Sequence, residues 1–281
     1  MTHARRALRL TTASLVWVLA AVYSVPIYLL VVISLKTPAE IAECAFCLPS
    51  YPQWQNFADA WAKTSGTSAP NLGLSMINSA IITVIAVTLI VVIGAAAGWF
   101  LGRSRSRASS IAYLGILAAI TLPVQLIIIP VYVAMSRIGV LGELVPVALF
   151  YVGLLTPFAI FLCTGFVRAI PTDFEEAAQL DGASQMQIFW HIVMPMLGPV
   201  LSTVAILTGI AVWNDFFGQL VFLLGSGHET LPLTVFNFAS QYATSYNLLA
   251  AGLVIATIPL VVFYLLLQRR IVDGFAVGIK G

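Results

Sequence analysis

Charge is what this chain has least of. Only 9% of its 281 residues are Asp, Glu, Lys or Arg, against about a quarter in a soluble domain. There is too little polar surface to cover a globule of this size, so the bilayer must be its main solvent. A net charge of +2 leaves nucleic-acid binding without electrostatic support. No G-x-x-x-x-G-K-[ST] phosphate loop occurs, so the energy for any active transport comes from another chain. The three histidines, His3, His191 and His228, are far apart, and no Ser/His/Asp or metal-ligand cluster accompanies them. That argues against a membrane enzyme. Of three cysteines, Cys163 packs inside an apolar segment, while Cys44 and Cys47 form a C-x-x-C. The pair can close a small disulfide or remain two thiols. Zinc would need two further ligands, and the surrounding loop holds no His.

What the chain has instead is long charge-free sequence. Such runs lie between Arg9 and Lys36, Lys63 and Arg103, Arg107 and Arg137, Glu143 and Arg168, His191 and Asp215, and Glu229 and Arg269. Their lengths are 26, 39, 29, 24, 23 and 39 residues. A helix crosses the hydrocarbon with roughly 20 apolar residues. The fold expected is an all-α integral membrane protein, one transmembrane domain over 1–281. Its six spans fall at about 12–35, 74–101, 110–134, 145–167, 198–223 and 247–267. The first run is longer than the ~7–15-residue core of a signal peptide, and no small-x-small cleavage site follows it. It reads as an uncleaved helix. Pro123, Gln125 and Pro130 fall within the third span, and the kinks they impose need partner groups or a water-lined cavity.

Basic residues set the orientation. Arg5, Arg6, Arg9, Arg103, Arg105, Arg107, Arg168, Arg269, Arg270 and Lys280 fall on one side, and only Lys36, Lys63 and Arg137 on the other. Both termini are therefore expected in the cytoplasm. The longest outer loop, 36–73, carries Trp54 and Trp61 at interfacial level, and NFADAWAK from Asn56 suggests a short surface helix.

Four of the eleven acidic residues sit in one inner loop, 171–195. Thr172 and Glu175 have capping-box spacing, as do Ser184 and Gln187. Asp173, Glu175 and Glu176 suit a helix N-terminus, and Gly182 suits a left-handed cap. The loop reads as two short helices joined by a turn. Ile188, Phe189, Ile192 and Val193 form an apolar stripe on the second, and Pro195 and Pro199 interrupt the chain before the fifth span. Ala177, Ala178 and Ala183 are small enough for another backbone to approach closely.

The same loop carries Glu176-Ala177-Ala178, three residues, Gly182, nine residues, then Ile192-Val193-Met194-Pro195. In this it resembles the E-A-A…G…I-x-L-P motif of permease subunits in binding-protein-dependent ATP-binding-cassette importers. Met194 replaces the usual Leu, a mild volume-conserving change. Asn78-Ser79, Pro123 to Pro130, Trp213-Asn214-Asp215-Phe216 and the tail Gly274 to Gly281 are similar to the carbohydrate branch, in the second-permease type of maltose-type importers. The resemblance runs from about residue 10 to the end. The Cys44/Cys47 pair departs from the branch.

The resemblance implies a subunit of the bacterial cytoplasmic membrane that is not itself an enzyme. Its partners would be two ATPase subunits, a second and different permease, an extracytoplasmic binding protein and membrane lipids. ATP and magnesium would belong to the ATPases, with no cofactor or metal on this chain. Carried over, the coupling residues are Glu176, Ala177, Ala178, Asp181, Gly182, Ala183 and Pro195. Gly278 and Lys280 would reach the ATPases as a tail. Asp215 is the one acidic residue expected inside a span, where charge is costly and by default functional. With Asn78, Gln125, Trp213, Asn214 and Gln219 it marks a candidate path for a sugar. The alternatives are a permease for amino acids or other small polar solutes, and a secondary transporter, for which one intramembrane Asp is thin support and which leaves the motif unexplained.

Overall fold

The computed structural model describes residues 2–62, 70–241 and 245–278. All the regular elements among them are helices. In order they are α1 (Thr2–Ser34), α2 (Pro38–Glu43), α3 (Gln55–Ala62), α4 (Leu72–Arg103), α5 (Arg107–Ile120), α6 (Val124–Arg137), α7 (Leu144–Ala169), α8 (Asp173–Leu180), α9 (Gln185–Ile188), a wide π-turn (Phe189–Val193), α10 (Met194–Met196), α11 (Gly198–Asn214), α12 (Phe217–Leu223), α13 (Leu231–Gln241) and α14 (Tyr246–Gly278).

Three helices are long and apolar enough to cross a membrane: Ala13–Ser34 within α1, α4 and α7. Two sharply bent pairs raise that to five if each is one span. The third expected span is not one helix. α5 and α6 meet at 95°, because Pro123 disfavours helical torsions at Leu122 and starts a new helix as the N-cap of α6. The fifth expected span, 198–223, is also interrupted. α11 stops at Asn214, Asp215 turns extended with ψ 122°, and α12 restarts at Phe217. The Asp215 carboxylate accepts the Gly218 N–H at 3.0 Å, replacing a bond that the helix break removes. The sixth expected span begins within a residue of Tyr246, and its helix runs on to Gly278.

The centre of the bundle is the α4–α7 pair. Gly94, Gly98 and Gly102 repeat every four residues on α4. A Cβ at these positions would lie 2.6 Å from Ala159 Cβ, 2.5 Å from Cys163 Cβ and 2.6 Å from Val167 Cγ1. The helices thus touch backbone to side chain, the small-xxx-small solution that suits apolar solvent. Ile82, Ala86, Ile90, Val147, Phe150, Leu197, Val204 and Phe222 extend this core. At one end of α7, the Arg168 guanidinium lies 4.9 Å from the Tyr113 ring centroid and ties α5 to the pair.

Residues 36–62 carry more regular structure than their composition suggests. Thr37 and Glu40 form a reciprocal capping box on α2, and Cys44 and Cys47 are joined in a disulfide. Lys36 is fully buried and donates from Nζ to the Cys44 carbonyl at 2.5 Å. α3 does not simply lie on the surface. Its Asn56 is buried, donates to the Ser34 and Lys36 carbonyls and accepts from Asn247 at the start of α14.

Candidate functional site

The 171–195 segment forms the expected hairpin. Its turn is a Schellman motif: the Gly182 N–H bonds the Gln179 carbonyl and the Ala183 N–H bonds the Ala178 carbonyl, both at 3.0 Å. Gly182 sits at φ +85°, the left-handed conformation that glycine adopts freely. Asp181 is the C-cap residue of α8. Ser184 and Gln187 cap each other reciprocally on α9. Ile188, Phe189 and Val193 are buried in the main core. The chain then widens into a π-turn in which the Met194 N–H reaches back to the Phe189 carbonyl. Pro195 explains this: it has no N–H to give, and in a regular helix its ring would crowd the carbonyl four residues back. Pro195 and Pro199 occupy first-turn positions of α10 and α11, where a missing N–H costs nothing. The two arms around Leu197 are bent by 74°.

The first expected capping box does not form. Thr172 makes no side-chain cap bond, since its backbone is already helical at φ −75°, ψ −17°, and the Glu175 carboxylate is engaged elsewhere. Its Oε1 accepts from Arg103 Nε at 2.9 Å and lies 2.7 Å from Arg103 Nη2. Its Oε2 accepts from Trp99 Nε1 at 2.8 Å. Arg103 Nη1 also donates to the Ile170 carbonyl at 2.9 Å, and the Trp99 ring stacks on Phe189. Both arms of the hairpin are thereby fastened to the end of α4. Charge-assisted bonds of this kind are roughly twice as strong as neutral ones.

Of the expected docking residues, Glu176, Ala177, Asp181, Gly182 and Pro195 face outward. The small-residue face divides: Ala178 and Ala183 are half-buried against the chain's own core. Two further outward residues had no signal in the motif, Phe174 and Leu180. Leu180 at the hairpin tip is 90% exposed. Gly278 closes α14, and Lys280 lies outside the described residues.

The path candidates do not share one place. Asp215 and Gln125 line one cavity of about 250 Å³, with Tyr151, Leu154, Phe217 and Gly218. Tyr151 donates its hydroxyl to Asp215 Oδ2 at 2.6 Å, a partner that spacing could not reveal. Trp213 lines a different, apolar cavity of about 230 Å³ with Ala80, Thr83 and Pro259. Asn214 donates back to the Ile210 carbonyl of its own helix. Asn78 and Gln219 are joined to the segment after α12. Asn78 donates to the Glu229 carbonyl at 3.1 Å, while Gln219 bonds the Val212 carbonyl and accepts from the Thr230 hydroxyl. Among the described residues, no group of three or more His, Cys, Asp or Glu is placed to hold a metal.

Residues 91–276 match the family model of the binding-protein-dependent transport system inner membrane component. The chain is 33% identical over 263 residues to the probable starch degradation products transport system permease protein AmyC of Thermoanaerobacterium thermosulfurigenes, covering 93% of each chain. It is 29% identical to the melibiose/raffinose/stachyose import permease protein MelC of Bacillus subtilis (strain 168), covering 98% of this chain and 100% of that one. Its fold is similar to that of a chain in the crystal structure of a bacterial ABC transporter involved in alginate import, with TM-score 0.79 at 22% identity over 94% and 96% of the two chains. The all-helical apolar architecture, the hairpin and these matches agree: the chain belongs to the family of binding-protein-dependent transport system inner membrane components, as a multi-pass permease subunit of an ATP-binding-cassette importer.

Proposed function

We propose that this permease forms half of the translocation path for a sugar or sugar-like solute, delivered by an extracytoplasmic binding protein. AmyC, MelC and the multiple sugar-binding transport system permease protein MsmG of Streptococcus mutans, 30% identical over 258 residues, are named for such solutes. In this reading six spans cross the membrane and both termini are cytoplasmic. The ten-to-three distribution of basic residues supports that orientation. The bent pair α5–α6, and α11 with α12 across the break at Asp215, would then serve as spans with non-helical joints, which a bilayer tolerates where protein or water surrounds them.

The hairpin is the docking element for an ATPase subunit. Glu176 offers the polar contact, Ala177 and Gly182 permit close approach, and Asp181, Ala183 and Pro195 hold the turn and its exit. The observation that carries this is a rigid, doubly fastened hairpin with an almost fully exposed Leu180 at its tip. Burying a Leu side chain in a partner's pocket contributes roughly 1.5–3 kcal/mol. ATP and magnesium act in the partner ATPases, a second permease completes the path, and the tail around Gly278 and Lys280 extends toward the ATPases. Within the membrane, Asp215 and Gln125, with Tyr151, present three hydrogen-bonding groups to one cavity and are the solute-contact candidates. Asn78, Trp213, Asn214 and Gln219 lie outside this cavity, where they pack and join the helices around the path.

The test is a pull-down of tagged wild type and Glu176→Arg from native membranes, read by mass spectrometry. The wild type should bring a P-loop ATPase, and the variant should lose it while inserting normally. A wild type that brings none, under conditions that keep other importers intact, would count against the docking role.

A further inference from the structure

A second, larger cavity remains after the hairpin and the Asp215 site are assigned. It is an open groove of about 740 Å³ between the end of α4 and the second arm of the hairpin. Small-molecule sites range over ~300–1,000 Å³. Val92, Ala96 and Phe100 line its α4 wall, and Met186, Phe189 and Trp190 face them. Trp99, Arg103, Ser104 and Gln185 form its polar end.

Three properties define the occupant. From Val92 to Arg103 the α4 wall rises about 16 Å at 1.5 Å per residue, close to half of a ~30 Å hydrocarbon core. The groove is therefore as long as one leaflet is deep, apolar at its inner end and polar at its rim. Two tryptophans stand at that rim, and Trp190, about half exposed, has an indole N–H without a partner among the described residues. Finally, the chain leaves the polar end as Arg105-Ser106-Arg107, and both arginines are exposed. Neither has a carboxylate partner among the described residues, whose one ion pair is Arg103–Glu175.

The geometry points to a site for an anionic phospholipid of the cytoplasmic leaflet, one acyl chain lying along Val92, Ala96 and Phe100 and the headgroup phosphate facing Trp190, Arg105 and Arg107. The side of the membrane rests on the topology proposed above. Juxtamembrane basic residues contribute about 1 kcal/mol each toward anionic lipid, or about fivefold per residue.

The test uses the whole importer, with its partner subunits, in vesicles of equal phosphatidylglycerol and phosphatidylcholine. A photocrosslinking residue, p-benzoylphenylalanine, replaces Met186. Irradiation should give phospholipid adducts enriched about fivefold or more in phosphatidylglycerol, and Arg105→Gln with Arg107→Gln should bring the ratio to about one. Equal labelling of both lipids in the otherwise unchanged chain would overturn the site, as would adducts to another subunit instead of lipid. In the same vesicles, Ala108→Cys reports the topology separately. Labelling by an impermeant maleimide applied to the extracytoplasmic face would refute the orientation itself, whatever the lipid ratio.

Discussion

Arg103 and Glu175 are 72 residues apart in sequence, yet their side chains meet at 2.7 Å. One ends the long helix α4 and the other sits in the first turn of the hairpin. The contact makes the hairpin part of the membrane bundle instead of a loop hung between α7 and α11. Replacing Glu175 with Gln should lower the thermal stability of the detergent-solubilised importer, by about 2 kcal/mol for a hydrogen bond to a charged group. A double-mutant cycle with Arg103→Gln should be non-additive, since the second substitution removes a partner already lost. The functional readout is the ratio of solute transported to ATP hydrolysed, which should fall in either variant. Unchanged coupling alongside lowered stability would reduce the pair to a structural role.

The α4–α7 contact predicts a size swap. Gly94→Ala places a methyl 2.6 Å from Ala159 Cβ, and overpacking of this kind costs about 1–3 kcal/mol. Ala159→Gly in the same chain vacates that space. Thermal unfolding should show a destabilised single variant and a double variant restored most of the way. If the double variant is no better than the single, the helices are not in register as described.

Different substitutions separate the structural role of Asp215 from its proposed solute contact. Asp215→Ala removes the acceptor for Tyr151 and for the Gly218 N–H and should destabilise by about 1–3 kcal/mol. Asp215→Asn keeps the shape and one acceptor oxygen. If the residue touches solute, Asp215→Asn should change the KM for uptake while leaving stability near wild type. An unchanged KM would confine Asp215 to shaping the helix break.

Acid should loosen the 37–50 segment. Backbone N–H groups of Thr37 and Ser50 hold the Glu40 carboxyl below its usual pKa. The folded pKa therefore lies under the unfolded one. The stabilisation is present above the ordinary carboxylate range of about 4.3 and is lost as pH falls through the depressed value. Hydrogen-exchange protection of residues 37–50, corrected for intrinsic rates, should drop on acidification, and Glu40→Gln should abolish that pH dependence.

Much of the hairpin is legible in the sequence, because its determinants are local. Gly182 needs only its own torsions, and Ser184 with Gln187 needs only three residues' spacing. Thr172 with Glu175 has the same spacing and no cap, since Thr172 is already helical and Arg103 and Trp99, on a distant helix, draw the Glu175 carboxylate away. No local pattern contains that competition. The breaks divide in the same way. Pro123 announces an interruption, though not its 95° angle. Asp215 ends a helix without proline or glycine beside it, through bonds to Tyr151 on another helix and to Gly218 three residues on. The glycine repeat on α4 is visible as spacing, but its partner α7 becomes evident only in three dimensions.

One side of the cavity around Asp215 is walled by helix ends, and Tyr151, Leu154 and Leu155 of α7 form the other. α6 begins there at Val124, α11 ends beside it at Asn214, and α12 restarts at Phe217. A chamber bounded by mid-helix residues can change volume only by moving whole cylinders or breaking their ladders. One bounded by termini works like a camera iris, since each leaf pivots on the few backbone torsions of its own joint. The joints at 121–123 and 215–216 give this chamber two sets of free backbone torsions that a chamber within unbroken helices lacks, beside a fixed wall supplied by α7.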